Sequence, residues 1–194
     1  MTSRSANTKA RLFEAALQLI SEQGFAGTTV DEIVERAGVA KGTVYYHFKS
    51  KSELVEAVIA SELEPLAERF ALAARSSADP LAQVMAIVRA ELEWIRDNRA
   101  FAKMLITELW REDRVWRETL VMLRGRILGH VRGAIVAGRE AGAFPADLDP
   151  DFAASALFGM TATTALDWLV FYPEHSLEDV AGQIAALVSR AVRA

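Results

Sequence analysis

The side chains that most often perform enzymatic chemistry are sparse in this sequence and lack catalytic spacing. There is no cysteine, which excludes a disulfide framework, a thiolate zinc site and a cysteine nucleophile. None of the three histidines, His47, His130 and His175, has a glutamate three residues before it, so the Glu-x-x-His pairs of a di-iron helical bundle are absent. No serine stands in a Gly-x-Ser-x-Gly elbow. We therefore predict that the chain is not an enzyme and uses neither a metal nor another cofactor.

Residues 40–47 offer a different chemistry, that of nucleic-acid recognition. Lys41 can neutralise a phosphate, and Thr43 and His47 can form hydrogen bonds with phosphates or base edges. The rings of Tyr45 and Tyr46 can contact a thymine methyl group. The alternative is a solvated helix with two tyrosines in the core.

The elements around this stretch favour DNA binding. Thr29 and Glu32 form a capping-box pattern that predicts a short second helix ending near Arg36. Gly38 then allows a tight turn, and a third helix from Ala40 to Tyr46 is too short to be stable without packing through residues such as Val44 and Phe48. A helix, a glycine turn and a short helix form a helix-turn-helix, whose second helix enters the major groove.

The run from Thr28 to Leu54, TTVDEIVERAGVAKGTVYYHFKSKSEL, closely resembles the N-terminal DNA-binding domain of the TetR family of transcriptional regulators. The resemblance covers about the first 55 residues. It implies that Tyr45, His47 and Lys51 contact phosphates and that Thr29 adds a contact at the start of the second helix. It also implies that the residues facing base edges are Lys41, Gly42, Thr43 and Tyr46.

Two positions depart from the family pattern. Val34 stands where a small alanine is usual, which should tighten the helix packing slightly. Ala40 stands where serine or threonine often caps the recognition helix, and we expect the missing cap to cost about 1 kcal/mol of local stability.

Apolar residues recur at helical spacing through the rest of the chain, which is 52% hydrophobic, so we predict an all-α fold of about nine helices. We expect a DNA-binding domain at residues 1–50 and a ligand-binding and dimerisation domain at 51–194. The expected helices cover roughly 8–23 (ended by Gly24), 29–36, 40–46, 50–75, 80–97, a sixth beginning just after Asn98, 114–140, 150–172 and a ninth opened by Ser176 and Asp179.

The net charge of −4 is unevenly distributed. Residues 1–52 carry +2 and the remainder carries −6, which suggests a DNA-facing head on an acidic body. Residues 1–9 lack the apolar stretch of a signal peptide, so we expect a cytoplasmic protein. Residues 155–172 have about the length of a short membrane span, but Asp167 and several hydroxyl groups favour a buried helix and no membrane contact.

The resemblance implies a homodimer, and the last two helices have suitable material for a four-helix bundle. Small residues at four-residue spacing allow close backbone approach, although packing within one chain is the alternative. The predicted interface residues are Phe152, Ser155, Ala156, Gly159, Thr163, Ile184, Leu187 and Val188.

Large, adaptable side chains in the body predict a pocket for a small hydrophobic effector. The candidate lining residues are Met85, Trp94, Phe101, Met104, Trp110, Met122, Phe158 and Trp168. Its polar partner stays open among Thr161, Thr164, Asp167, Glu108, Arg89 and His130, and an acyl-CoA would need Arg89, Arg99, Arg111 or Arg114 near its phosphates. The alternative is a body without a cavity that recruits another protein, whereas an effector needs a cavity of a few hundred Å³ that opens among helices five to eight.

Overall fold

The computed structural model describes residues 2–109 and 117–191, with side chains described for 6–106 and 121–191. Every element in these residues is an α-helix, as the sequence predicts. The helices are α1 (Thr2–Gly27), α2 (Val30–Ala37), α3 (Lys41–His47), α4 (Lys51–Ala73), α5 (Pro80–Asp97), α6 (Arg99–Leu109), α7 (Arg117–Glu140), α8 (Pro150–Phe171) and α9 (Leu177–Ala191).

The first helix differs most from its predicted bounds. It begins at Thr2, and it continues for one turn beyond Gly24, which lies at a kink with φ 76° and ψ 167°. Gly24 therefore has the positive φ expected of it but does not end the helix. The predicted start of the seventh helix, at Arg114, lies outside the described residues.

Side-chain caps fix the starts of several helices where the sequence predicts them. Asp79 and Asp149 each accept two backbone N–H groups ahead of a proline, at the starts of α5 and α8. Ser50 accepts the Glu53 N–H, while the Glu53 carboxylate accepts the N–H of Lys49. These contacts satisfy donors that a helix leaves unpaired at its N-terminus.

The chain divides into two compact units, Met1–Glu62 with Ala100–Val121, and Leu63–Arg99 with Met122–Ala194. In the first unit, apolar residues of α1, α2, α3 and the start of α4 form one core, including Leu12, Ile33, Val44 and Leu54. In the second unit, α5 packs against both α8 and α9. Arg89 of α5 joins Glu178 of α9 through a two-hydrogen-bond ion pair.

Of the described helices, α8 is the one that is long and apolar enough to cross a membrane by length and composition. One face of it is buried, including Leu157, Thr161 and Trp168. The opposite face is exposed, with Phe152 80% and Phe171 68% accessible. The expectation of a buried helix therefore holds for one face only.

Candidate nucleic-acid interface

The backbone conformation of the turn between α2 and α3 favours glycine. Gly38 has φ 60° and ψ 41°, the left-handed conformation that glycine adopts at little cost. Its carbonyl oxygen accepts a 3.0 Å hydrogen bond from Nη2 of Arg11. A Cβ atom at Gly38 would lie 2.7 Å from that same nitrogen. The hydrogen bond from Arg11 thus holds the turn against α1.

Packing on one side supports the short helix α3. Val44 and Phe48 are buried, and the Phe48 ring lies 6.0 Å from the ring of Phe13 in α1. At the N-terminus of α3, Ala40 provides no side-chain cap, as expected because alanine has no hydrogen-bond acceptor in its side chain. The helix therefore depends on tertiary contacts for its stability, as expected for its length.

The remaining side chains of α3 point away from the core. Tyr45 is 51% and Tyr46 85% exposed, which excludes the alternative that both tyrosines are core residues. The Tyr46 ring meets the His47 ring edge to face at 5.1 Å. A Cβ atom added at Gly42 would meet no atom within 4 Å, so packing within the chain does not require glycine there. The outer face of α3 is therefore polar, aromatic and open at its centre.

Two of the predicted DNA contacts already have partners in the chain. Nζ of Lys41 lies 2.6 Å from a carboxylate oxygen of Asp31, and this hydrogen-bonded pair raises the pKa of Lys41. The Thr29 hydroxyl accepts the Glu32 N–H, while the Thr29 N–H donates to the Glu32 carboxylate at 2.8 Å. Hydrogen bonds from Thr29 lower the pKa of Glu32. This is the reciprocal capping box that the sequence predicts.

Lys51 also contacts its own chain. Its Nζ donates 2.9 Å hydrogen bonds to the carbonyl oxygens of Phe25 and Thr28. The same atom lies 4.1 Å from the centre of the Phe25 ring. The predicted phosphate contact is therefore half-buried at the junction of α1 and α2, and the sequence gives no signal for this arrangement.

The predicted effector-binding residues differ in how far they are buried. Trp94, Phe101, Met104 and Trp168 are buried, Met85 and Phe158 are half-buried, Met122 is exposed, and Trp110 lies outside the described residues. Nε1 of Trp168 donates a 2.8 Å hydrogen bond to the carbonyl oxygen of His175, and the Phe158 ring lies 6.4 Å from that of Phe70. Both side chains therefore have packing roles within the second unit.

An apolar cavity of about 340 Å³ lies in the second unit and opens to solvent. Its described lining residues are Val84, Ile135, Phe144, Leu148, Ala153, Ala156, Leu157, Met160, Val188 and Ala191. None belongs to the eight predicted pocket residues, and two of the lining residues, Ala156 and Val188, belong to the predicted dimer interface. Sequence reasoning selected large side chains, whereas this cavity is lined partly by small ones, namely Ala153 and Ala156 of α8 and Ala191 of α9.

The predicted interface residues lie mainly on the exposed face of α8 and α9. Phe152, Ala156, Gly159, Thr163 and Leu187 are exposed, and Ser155 and Val188 are half-buried. Ile184 is 2% exposed and belongs to the core of its own unit. A Cβ at Gly159 would meet nothing within 4 Å, so this glycine too is unexplained by packing within the chain.

Sequence reasoning also missed a buried acid. Glu91 of α5 is 2% exposed, and its Oε1 has no hydrogen-bond partner in the described structure. Burial raises the pKa of this carboxyl well above its ordinary value. The sequence did carry a signal for this buried acid, because Glu91 lies among the apolar positions of α5.

Known proteins match this chain along most of its length. The family model for bacterial regulatory proteins of the tetR family matches residues 12–58, and the model for the tetracyclin repressor-like C-terminal domain matches residues 77–192. The transcriptional regulator SrpR of Pseudomonas putida is 30% identical over 146 residues, 73% of this chain and 66% of SrpR. The regulator TtgW, also of Pseudomonas putida, is 32% identical over 129 residues, 64% of this chain and 92% of TtgW.

Solved structures show the same fold. FadR from Bacillus subtilis, crystallised in complex with stearoyl-CoA, has a TM-score of 0.83 at 20% identity and covers 95% of this chain and 99% of its own. A tetR-family regulator from Rhodococcus RHA1 has a TM-score of 0.82 at 24% identity, covering 95% and 96%. With both family models matched and the helix-turn-helix in place, the chain belongs to the TetR family of bacterial transcriptional regulators, which are not enzymes.

Proposed function

We propose that this regulator is a cytoplasmic repressor that binds palindromic operator DNA as a homodimer and is released by a small hydrophobic effector. The observation that carries DNA recognition is the outer face of α3. Tyr46 is 85% exposed, and a Cβ atom at Gly42 would meet no atom of the described residues within 4 Å. Packing within the described residues does not require glycine at position 42. Glycine there is instead consistent with a helix that must lie close to base edges.

The proposed DNA contacts fall into two groups. Lys41, Gly42, Thr43 and Tyr46 read base edges, so changing them alters sequence preference. Tyr45 and His47 contact phosphates from the same helix, Lys51 contacts one from the start of α4, and Thr29 contacts one near the start of α2. Phosphate contacts set register and affinity without reading sequence.

The proposed dimer uses the exposed face of α8 and α9. Phe152 and Leu187 expose large apolar surfaces that a soluble single chain would rarely leave uncovered, while Gly159 allows a partner helix to approach. Two copies related by a two-fold axis present two recognition helices to one palindrome. We propose residues 1–50 as the DNA-binding domain and 51–194 as the domain for dimerisation and effector binding.

The apolar cavity supports an effector-responsive body rather than one that only recruits a protein. Its volume of about 340 Å³ lies in the range of small-molecule pockets. Stearoyl-CoA is the ligand of the Bacillus subtilis FadR structure, so fatty acids and their CoA thioesters form the first panel to test. Of the arginines considered for CoA phosphates, Arg89 is already paired with Glu178 and Glu93.

In the proposed mechanism, effector binding shifts α5 to α7 and tilts α4, which changes the separation of the two recognition helices. The two DNA-binding domains of the dimer must enter successive major grooves, which lie about 34 Å apart. If the separation of the recognition helices changes by a few ångströms, one DNA-binding domain loses its contacts and the protein releases the operator.

The test of DNA recognition is a fluorescence-anisotropy titration against the DNA flanking the gene and against duplexes selected from a random library. We expect saturable binding to a palindrome, and loss of sequence preference in Tyr46→Ala. Tyr172→Ala removes an equally polar, exposed ring from the second unit and should leave binding unchanged. Absence of saturable binding to any duplex would refute the proposal.

The test of the effector site uses the same assay with added fatty acids and acyl-CoAs. Ala153→Leu places a larger side chain in the cavity, so it should abolish effector-induced release while operator affinity stays the same. Ala137→Leu adds the same volume on the exposed face of α7 and should retain the response. Equal release of both variants would show that the effector binds elsewhere, and operator affinity insensitive to every effector would favour the protein-recruiting alternative.

A further inference from the structure

The apolar cavity of the second unit has a buried floor and a mouth at the surface. Four of its described lining residues are at most 9% exposed and form the floor: Val84, Ile135, Phe144 and Leu157. Ala156 of α8 and Ala191 of α9 also line the cavity, and both are exposed. The exposed lining residues place the mouth beside α8 and the end of α9.

This mouth coincides with the face that we propose for dimerisation. Exposed residues of α8 recur at spacings that keep them on one side of the helix, namely Phe152, Ala156, Gly159, Thr163 and Val170. Ala156 belongs both to this row and to the cavity lining, and Val188 of α9 belongs both to the predicted interface and to the lining. A second copy of the chain seated on this face would lie over the mouth.

A ligand in the cavity would gain from such a cover. The described lining residues carry no polar side chain, so binding depends on the removal of apolar surface from water. In a single chain, the part of the ligand at the open mouth stays in contact with water. Covering as little as two methylene groups of that part raises the affinity about tenfold.

We infer that the effector site is shared between two chains: one chain supplies the cavity, and the second copy supplies its cover. The inference rests on the proposed dimer and the proposed effector cavity, and it links the two. Because such a linkage is reciprocal, an effector that binds the dimer more tightly also stabilises the dimer. A two-fold dimer has two such sites, so a tenfold gain at each lowers its dissociation constant about a hundredfold at saturation.

The linkage also separates two ways in which an effector could release the operator. Release by dissociation into monomers requires an effector that binds the monomer more tightly than the dimer. A shared site has the opposite preference, so release comes from a changed arrangement of the two DNA-binding domains within an intact dimer. An effector should therefore lower operator affinity while it tightens the dimer.

The probe for the test is phenylnaphthylamine, a neutral fluorophore whose emission increases in apolar surroundings. Its affinity is measured at protein concentrations above and below the dimer dissociation constant, which analytical ultracentrifugation provides. We expect binding about tenfold tighter to the dimer, and a dimer dissociation constant about a hundredfold lower with saturating probe. If the wild-type dimer is too tight to dissociate on dilution, Phe152→Glu supplies the monomer, and Leu72→Glu is the equally charged dimeric control.

A pair of matched variants shows whether the probe acts from the cavity. Ala153→Leu enlarges a half-buried lining residue, and Ala137→Leu adds the same side chain on the exposed face of α7. Circular dichroism confirms that each variant is folded. The first should lose both probe binding and the effect of the probe on dimerisation, while the second should keep both.

The outcomes separate this inference from the proposed function. Equal or weaker binding of the probe to the dimer overturns the shared site, while effector binding within one chain stands. A probe that tightens the dimer of Ala153→Leu as much as that of the wild type acts outside the cavity and also overturns it. A wild type that is monomeric at every concentration overturns the dimer, and one that never binds the probe overturns the cavity as an effector site; the shared site falls in both cases. Probe binding that is tighter in the dimer and tightens the dimer, with both effects lost in Ala153→Leu, supports the inference.

Discussion

Nζ of Lys41, the first residue of the recognition helix α3, lies 2.6 Å from a carboxylate oxygen of Asp31 on α2. A lysine expected to face DNA is therefore neutralised by an acid of the neighbouring helix. Both side chains are more than half exposed, so the pair is screened by solvent and contributes little to folding stability. Its consequence is electrostatic, because the acid reduces the positive charge that α3 offers to DNA.

Asp31→Asn should raise DNA affinity several-fold, since it frees Lys41 and removes a negative charge near the phosphates. The slope of log affinity against log salt should steepen by up to about 0.9 if Lys41 then neutralises a phosphate. Anisotropy titrations at several salt concentrations measure both quantities. Glu35→Gln removes the same charge from an exposed position of α2 without freeing Lys41, so a similar effect of both variants would contradict the role of the pair.

Ala40→Ser should stabilise the protein by about 1 kcal/mol, because serine can accept a backbone N–H that the first turn of α3 leaves unpaired. Ala40 at present offers no side-chain cap. Urea unfolding of the whole chain measures the change, with Ala40→Val as a control that cannot cap. Equal stabilities of the serine and valine variants would show that tertiary packing, and not the cap, sets the stability of α3.

Local features of the site were predictable because their signals lie within a few residues. The Thr29–Glu32 capping box and the left-handed Gly38 depend on neighbours three or four residues away. The contacts of Lys51 join residues 23 and 26 positions apart, and nothing in the local pattern marks a lysine as bound to carbonyl oxygens. The family resemblance supplied a role for Lys51 from the position alone.

The interface and the cavity of the second unit were harder to predict than the helix-turn-helix, for a related reason. Helical spacing predicts which face of α8 is apolar, but it does not tell whether that face meets its own chain or a partner. Ile184 and Leu187 are both apolar residues of α9, yet the first is 2% and the second 59% exposed. The cavity depends on gaps that small residues such as Ala153 leave between packed helices, so a search for large side chains could not find it.

Gly138→Ala should destabilise the protein by about 1 to 3 kcal/mol, the usual effect of overpacking. A Cβ at this position would lie 2.1 Å from a ring atom of Phe144, which is buried and lines the cavity. Gly133→Ala, on the same helix, meets nothing within 4 Å and should stabilise α7 by about 1 kcal/mol. Denaturant midpoints measure both, and destabilisation by both substitutions would mean that the contact with Phe144 is not the cause.

Glu91→Gln should remove part of the loss of stability at high pH. The pKa of Glu91 is raised in the folded state by burial, so between the ordinary value of 4.5 and the folded pKa the unfolded chain has lost a proton that the folded chain keeps. Stability from this group is complete below pH 4.5 and falls as the pH rises toward the folded pKa. The glutamine variant should therefore gain stability relative to the wild type at neutral and mildly alkaline pH.

Urea unfolding across a pH series tests this expectation. Glu62→Gln is the matched control, because burial also raises the pKa of that half-buried carboxyl but less strongly, and its effect should have the same sign and smaller size. A pH profile of Glu91→Gln parallel to that of the wild type would show that Glu91 is ionised in the folded protein.

Phe152→Glu should convert the proposed dimer into monomers and weaken operator binding. The Phe152 side chain is 80% exposed on the α8 face, where burial against a second copy would remove a large apolar surface from water. In a two-fold interface the substitution appears twice, and two glutamates would then be desolvated or placed close to each other. Analytical ultracentrifugation over a range of protein concentrations measures the dissociation constant. Leu72→Glu introduces the same charge at an exposed leucine of α4 and should leave the dimer intact, whereas unchanged dimerisation of Phe152→Glu would place the interface on another face of the protein.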